Sequence, residues 1–157
     1  IARLVYERIS HNCGVSCFLA NVREVCATHG LPHLQKQLLS TAYKEKFSEV
    51  WDEERGIIFT KKYLRNKKVL LVLDDADHIN QLQVLAGKED WFGMGSRIII
   101  TTRNERLLVQ HDVTLCHNVK VLDKGAALEL FSLHAFKKNM PEDEFWELST
   151  YFTNYAG

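Results

Sequence analysis

The chain has 157 residues, 46% of them hydrophobic and 25% charged, with only two prolines and eight glycines. That is one ordinary domain with a core of its own, and it excludes a disordered, collagenous or low-complexity chain. Lys+Arg and Asp+Glu both number 20, so a formal net charge of zero argues against a strongly basic nucleic-acid module and against an acidic tail.

In chain order, short β-like runs alternate with helical patterns. Ile1, Leu4, Val5 and Ile9 recur at helical spacing, and residues 1–10 read as a helix. Residues 15–19 (Val-Ser-Cys-Phe-Leu) read as a short strand. Leu31, Leu34, Leu38 and Ala42 share one face of a helix over 31–43, whose first turn suits Pro32. A further helix spans about 51–64 and ends in Lys61, Lys62, Arg65, Lys67 and Lys68. Cations favour a helix C-terminus, so this basic cluster reads as a solvated helix end and not as a nucleic-acid surface. Five apolar residues in a row, Val69 to Leu73, form the longest apolar run, far short of the ~18 needed to cross a membrane. They predict a strand buried on both faces, as in the middle of a parallel sheet. A helix follows near 79–86, and Arg97 to Thr101 predicts another strand. Asn104 is placed to cap a short helix, and residues 117–122 read as one more strand. Beyond that the pattern is helical. Asp123 caps one helix, and Pro141-Glu142-Asp143-Glu144 opens another with acids in the first turn.

The expected fold class is therefore α/β, a parallel sheet with flanking helices over 1–122, followed by the start of a helical subdomain over 123–157. Cys13, Cys17, Cys26 and Cys116 form no C-x-x-C pair. They read as reduced thiols of a cytoplasmic protein, each with burial among apolar side chains as its default role. The seven histidines show no metal-binding spacing, and no G-x-S-x-G, G-x-G-x-x-G or G-x-x-x-x-G-K-[ST] occurs.

Two features carry chemistry. Asp74 and Asp75 close the apolar strand, and in open α/β sheets ligands bind beyond the carboxyl ends of the strands. Adjacent carboxylates repel, so a cation must sit near them. Lys67 and Lys68 lie roughly 20 Å away at about 3.3 Å per residue, at the wrong end of the strand. The compensating charge comes from another element or from a metal ion. An apolar strand ending in Asp-Asp fits a Walker B strand, in which the first acid holds Mg²⁺ and the second polarises water. The alternative is a solvated pair at a helix N-cap. Thr101-Thr102-Arg103 closes the next strand, where an arginine could reach a terminal phosphate or pair with the acids.

These residues resemble a family. Residues 18–24 (Phe-Leu-Ala-Asn-Val-Arg-Glu) with 29–31 and 34–40 resemble the first discriminating motif of plant resistance receptors. Residues 70–77 resemble their Walker B motif, with Asp77 similar to the TIR-bearing branch, and 92–104 resemble their kinase-3 motif. Residues 127–136 match the next motif. Essentially all of 1–157 is identified as a fragment of the NB-ARC domain of a TIR-NB-LRR receptor, a P-loop NTPase of the STAND class. The resemblance implies a segment lying between the phosphate-binding loop with its strand, expected before Ile1, and a G-L-P-L-A motif beginning at Gly157. Such a piece alone is expected to bind nucleotide poorly, and its sheet to have a gap between the strand at 97–101 and that at 117–122.

The resemblance implies an ADP/ATP-operated switch in plant immune signalling, reset by slow hydrolysis, with Mg²⁺ as cofactor. By position, Asp74 would hold Mg²⁺ through its water shell and Asp75 would assist hydrolysis. Arg103 would sense the terminal phosphate, with Thr101 and Thr102 on the same edge, and Arg23 would approach the phosphates. Implied partners are nucleotide, the LRR and TIR domains of the same protein, and further copies on activation. No membrane or direct nucleic-acid contact is expected. The alternatives are a constitutively cycling P-loop ATPase and, more remotely, a receiver-like or nucleic-acid-binding module.

Overall fold

A β-branched and leucine-rich run can satisfy its backbone only beside another strand, and three such runs do so here. The computed structural model describes residues 1–43 and 52–156. β1 (Val15–Leu19), β2 (Val69–Leu73) and β3 (Arg97–Ile100) form a parallel sheet in the order β1-β2-β3. β2 is central, and all five of its side chains are fully buried. At about 1.5–3 kcal/mol per side chain their burial contributes up to roughly 7–15 kcal/mol, an upper figure because the unfolded chain already hides some of this surface.

The helices follow from caps and apolar faces. α1 (Ala2–Ile9) lies by the outer strand: the Tyr6 hydroxyl donates to the Ser16 carbonyl at 3.1 Å, and Arg3 stacks 4.0 Å over the Phe18 ring. α2 (Val22–His29) was not foreseen, although Val22, Val25, Cys26 and His29 have helical spacing and Gly30 ends it at φ 78. Eight residues between a strand and a longer helix are easily read as a loop. α3 (Leu31–Tyr43) buries Leu31, Leu34, Leu38 and Leu39, close to the expected face. α4 (Glu53–Leu64) starts at Asp52, whose carboxylate accepts the Arg55 N–H at 2.9 Å. The expected start near Trp51 lies outside the described residues.

Buried Gln35 ties α3 to α4 by donating from Nε2 to the Glu53 carbonyl at 3.0 Å. This closeness requires Gly56, because a Cβ there would overlap the Gln35 amide. The basic cluster at the end of α4 covers aromatic rings. Lys61 lies 5.0 Å from the Trp91 centroid and Lys67 3.9 Å from that of Tyr43, cation–π contacts that use these lysines structurally.

α5 (Ile79–Ala86) and α6 (Glu105–Gln110) complete the first compact unit, Ile1–Thr114. Asn104 caps α6 as expected, accepting the Arg106 N–H at 3.2 Å. The second unit, Leu115–Gly157, holds α7 (Lys124–Ala135) and α8 (Trp146–Ala156). Asp123 caps α7 through the Ala126 N–H at 2.8 Å. The helix expected after Pro141 begins as a 3₁₀ turn, Asp143–Phe145, and continues as α8. Phe131, Phe136, Phe145 and Phe152 make ring contacts at 5.5–6.5 Å that join these helices.

Two expectations are corrected. Residues 117–122 form no strand; Val119, Val121 and Leu122 are exposed, and no neighbouring strand among the described residues satisfies their backbone. Of the four thiols, all free, only that of Cys17 is buried; Cys116 is exposed, because it lies in the irregular segment between α6 and α7. No helix among the described residues is long and apolar enough to cross a membrane.

Candidate functional site

The register brings three strand ends level. Leu73 lies opposite both Leu19 and Ile100, so Asp74 and Thr101 leave the sheet side by side. Main-chain bonds continue past the strands. Asp74 N donates to the Leu19 carbonyl and Thr101 N to that of Leu73, both at 2.9 Å. Val22 N donates to the Asp74 carbonyl at 2.8 Å and Arg23 N to that of Asp75 at 3.2 Å. The start of α2 is thus stitched to the exit of β2.

Asp75 adopts φ 57, and Asn21, at the start of α2, adopts φ 50. Side chains seldom occupy this left-handed region, and Asp and Asn tolerate it best among non-glycine residues. The Thr101 hydroxyl then serves both acids. It donates to Asp74 Oδ1 at 2.8 Å and accepts the Asp75 N–H, also at 2.8 Å. A hydroxyl is one of the few side-chain groups that can donate and accept at once.

The positive charge demanded by the adjacent acids comes from α2. Arg23 Nη2 lies 2.9 Å from Asp75 Oδ2, with the two side chains 49% and 28% exposed. At that exposure the pair adds about 0–1 kcal/mol to stability, so its interest is positional. Arg103 is exposed at the same rim, and among the described residues it forms no ion pair with either acid. Thr102 Oγ1 accepts the Asn104 N–H at 3.0 Å, within the turn that leads to α6. The structure therefore joins Asp74, Asp75, Thr101 and Arg23 by direct contacts and leaves Thr102 and Arg103 beside them.

Three further residues of the motifs are structural. Asp77 Oδ1 accepts from Gln81 Nε2 at 2.8 Å, while Gln81 Oε1 accepts the N–H groups of Asp77 and His78, an arrangement that starts α5. At the opposite end of the sheet, Gly93 N donates to the Lys67 carbonyl at 2.9 Å, and Ser96 Oγ accepts the Val69 N–H at 2.9 Å. The glycine half of the 92–104 motif clamps the entry of β2 and β3. Its Thr-Thr-Arg half reaches the rim.

A Mg²⁺ ion fits the donors present. Asp74 and Thr101 offer hard oxygens, Asp74 is half-buried, and Thr101 engages only one of its two oxygens. Mg²⁺ typically takes one or two carboxylates and fills its octahedron with water and phosphate. No group of three or more His, Cys, Asp or Glu that could cage a metal occurs among the described residues.

A family profile described as the NB-ARC domain matches residues 22–141, which include Arg23, Asp74, Asp75, Thr101, Thr102 and Arg103. The chain belongs to the NB-ARC family. Its relatives include the disease resistance protein RUN1 of Vitis rotundifolia, 38% identical over 157 residues, covering 99% of this chain and 12% of the relative. The TMV resistance protein N of Nicotiana glutinosa is 39% identical over 163 residues, covering 99% of this chain and 14% of the relative. The chain thus spans about an eighth of the length of these curated relatives. The three-stranded parallel sheet with flanking helices is the α/β, P-loop NTPase-like fold expected of an NB-ARC chain.

Proposed function

We propose that this NB-ARC chain is the nucleotide-binding module of an intracellular plant immune receptor, acting as an ADP/ATP switch in the cytoplasm. The observation that carries the reading is the Thr101 bridge, which presents Asp74 and Asp75 at one sheet rim with different partners. Membership in the family and the plant disease-resistance relatives support it.

In this reading Asp74 would hold Mg²⁺, which would supply positive charge against the phosphates. Thr101 fixes the Asp74 carboxylate and the backbone of Asp75. Asp75 takes a proton from water as the water oxygen bonds to the terminal phosphorus, and the bridging oxygen leaves with its electron pair on ADP. Arg103 and Thr102 face the terminal phosphate. Slow hydrolysis returns the receptor to rest, and exchange to ATP releases contacts with its LRR and TIR domains and lets copies assemble.

The test is nucleotide content and turnover of the full-length receptor carrying this segment. The switch reading expects about one tightly held ADP per chain and turnover well below 1 min⁻¹, against typical enzyme rates of roughly 1–10³ s⁻¹. Steady rapid turnover would instead support a constitutively cycling ATPase. A folded receptor with no affinity for ADP or ATP would end both readings.

A further inference from the structure

The rim contains an ion pair that the switch reading does not use. Arg23, in the first turn of α2, reaches across to Asp75, the residue assigned to take the proton. A carboxylate paired at 2.9 Å with a guanidinium is held in one orientation, with the paired oxygen turned away from other partners. Three backbone features fix that orientation: the left-handed conformation of Asp75, its N–H on Thr101 Oγ1, and its carbonyl on the Arg23 N–H. Both ends of the pair are thus anchored by main-chain bonds, while the side chain of Arg23 remains half-exposed to solvent.

We infer that Arg23 is a latch shared between Asp75 and a nucleoside triphosphate, a positioning residue that restrains the proton acceptor until a terminal phosphate draws it away. The inference rests on the nucleotide-switch reading. The competition is a matter of charge and geometry. A carboxylate offers one negative charge, whereas a terminal phosphate offers more charge and three acceptor oxygens to a fork built for such oxyanions. A diphosphate lacks the terminal group and leaves the latch on Asp75. The pair would therefore couple the identity of the nucleotide to the freedom of Asp75, without movement of the strands that carry the acids.

The latch predicts a pattern in binding that turnover does not report. In the full-length receptor, the affinities for ADP and for a non-hydrolysable ATP analogue, both with Mg²⁺, give a triphosphate-to-diphosphate preference. Asp75→Asn removes the competing charge and is expected to raise that preference at least threefold. Arg23→Gln in the Asp75→Asn background is expected to abolish the gain, because no guanidinium remains to be released. Arg23→Lys keeps the charge but loses the fork, and an intermediate preference is expected. Additive effects of the two substitutions, or no change with Asp75→Asn, would overturn the latch while leaving nucleotide binding intact. If the unsubstituted receptor binds neither nucleotide, the switch reading falls and the latch with it. A thermal melt of each variant checks folding; should Arg23→Gln not fold, Arg23→Lys carries the comparison.

Discussion

Thr101 Oγ1 lies 2.8 Å from Asp74 Oδ1 and donates its proton to it, while the same oxygen accepts the backbone N–H of Asp75. One hydroxyl therefore ties the residue just past β3 in one motif to the acids of another. Thr101→Val keeps the shape and removes both bonds, stranding a half-buried carboxylate oxygen and an amide. A loss of about 1–3 kcal/mol is expected, with Thr101→Ser retaining most of the stability. Urea unfolding of this chain checks it, and equal midpoints for the Val and Ser variants would contradict the bridge.

Asp74→Asn preserves an acceptor for Thr101 and removes the charge offered to Mg²⁺. In the full-length receptor, Mg²⁺ is expected to strengthen nucleotide binding in the unsubstituted protein and to have little effect in the variant. Titrations with and without a chelator measure the difference. A variant that keeps its full Mg²⁺ response would remove Asp74 from the metal site.

Asp75→Ala is expected to slow single-turnover hydrolysis by 10²-fold or more, the usual contribution of a positioned acid or base. Nucleotide affinity should survive. Unchanged hydrolysis would reassign the proton acceptor.

Gly93→Ala is expected to destabilise the fold by about 1–3 kcal/mol, the usual cost of overpacking. A Cβ at Gly93 would come within 2.8 Å of the backbone N and O of Lys67, where no flexible side chain can yield. Thermal or urea denaturation reads this directly. The rim acids are at the other end of the strands, so any effect on nucleotide affinity in the full-length receptor should follow from the loss of stability alone.

Cys17 and Cys116 should differ sharply toward alkylating reagents. Burial pushes the Cys17 thiol up from 9.0 to about 11, partly offset by a hydrogen bond with Thr41, whereas Cys116 is exposed. Because the native state holds the Cys17 proton more tightly, its contribution to stability is complete below pH ~9. That contribution declines as pH rises through about 11, by up to roughly 2–3 kcal/mol. Native labelling should modify Cys116 promptly and Cys17 only on unfolding. Prompt loss of both thiols would show that the core around β1 opens readily.

What the sequence determined by itself was whatever depends on local chemistry and period. Val69–Leu73 had to be a central strand because five consecutive apolar side chains need cover on both faces. Asn104 and Asp123 had to start helices because their short side chains reach an unpaired N–H. The order of the motifs was enough to identify the family. The short helix Val22–His29 escaped because its apolar spacing covers barely two turns, and 117–122 misled because alternating apolar residues mark a strand only when a partner strand is present. Tertiary structure alone decided the rim. Nothing local announces that Thr101 bridges both acids, that Asp75 takes a left-handed turn, or that the charge beside it comes from Arg23 and not Arg103. Those outcomes follow from the register that sets Leu19, Leu73 and Ile100 level, and register is a property of the packed sheet, fixed only when all three strands bury their faces together.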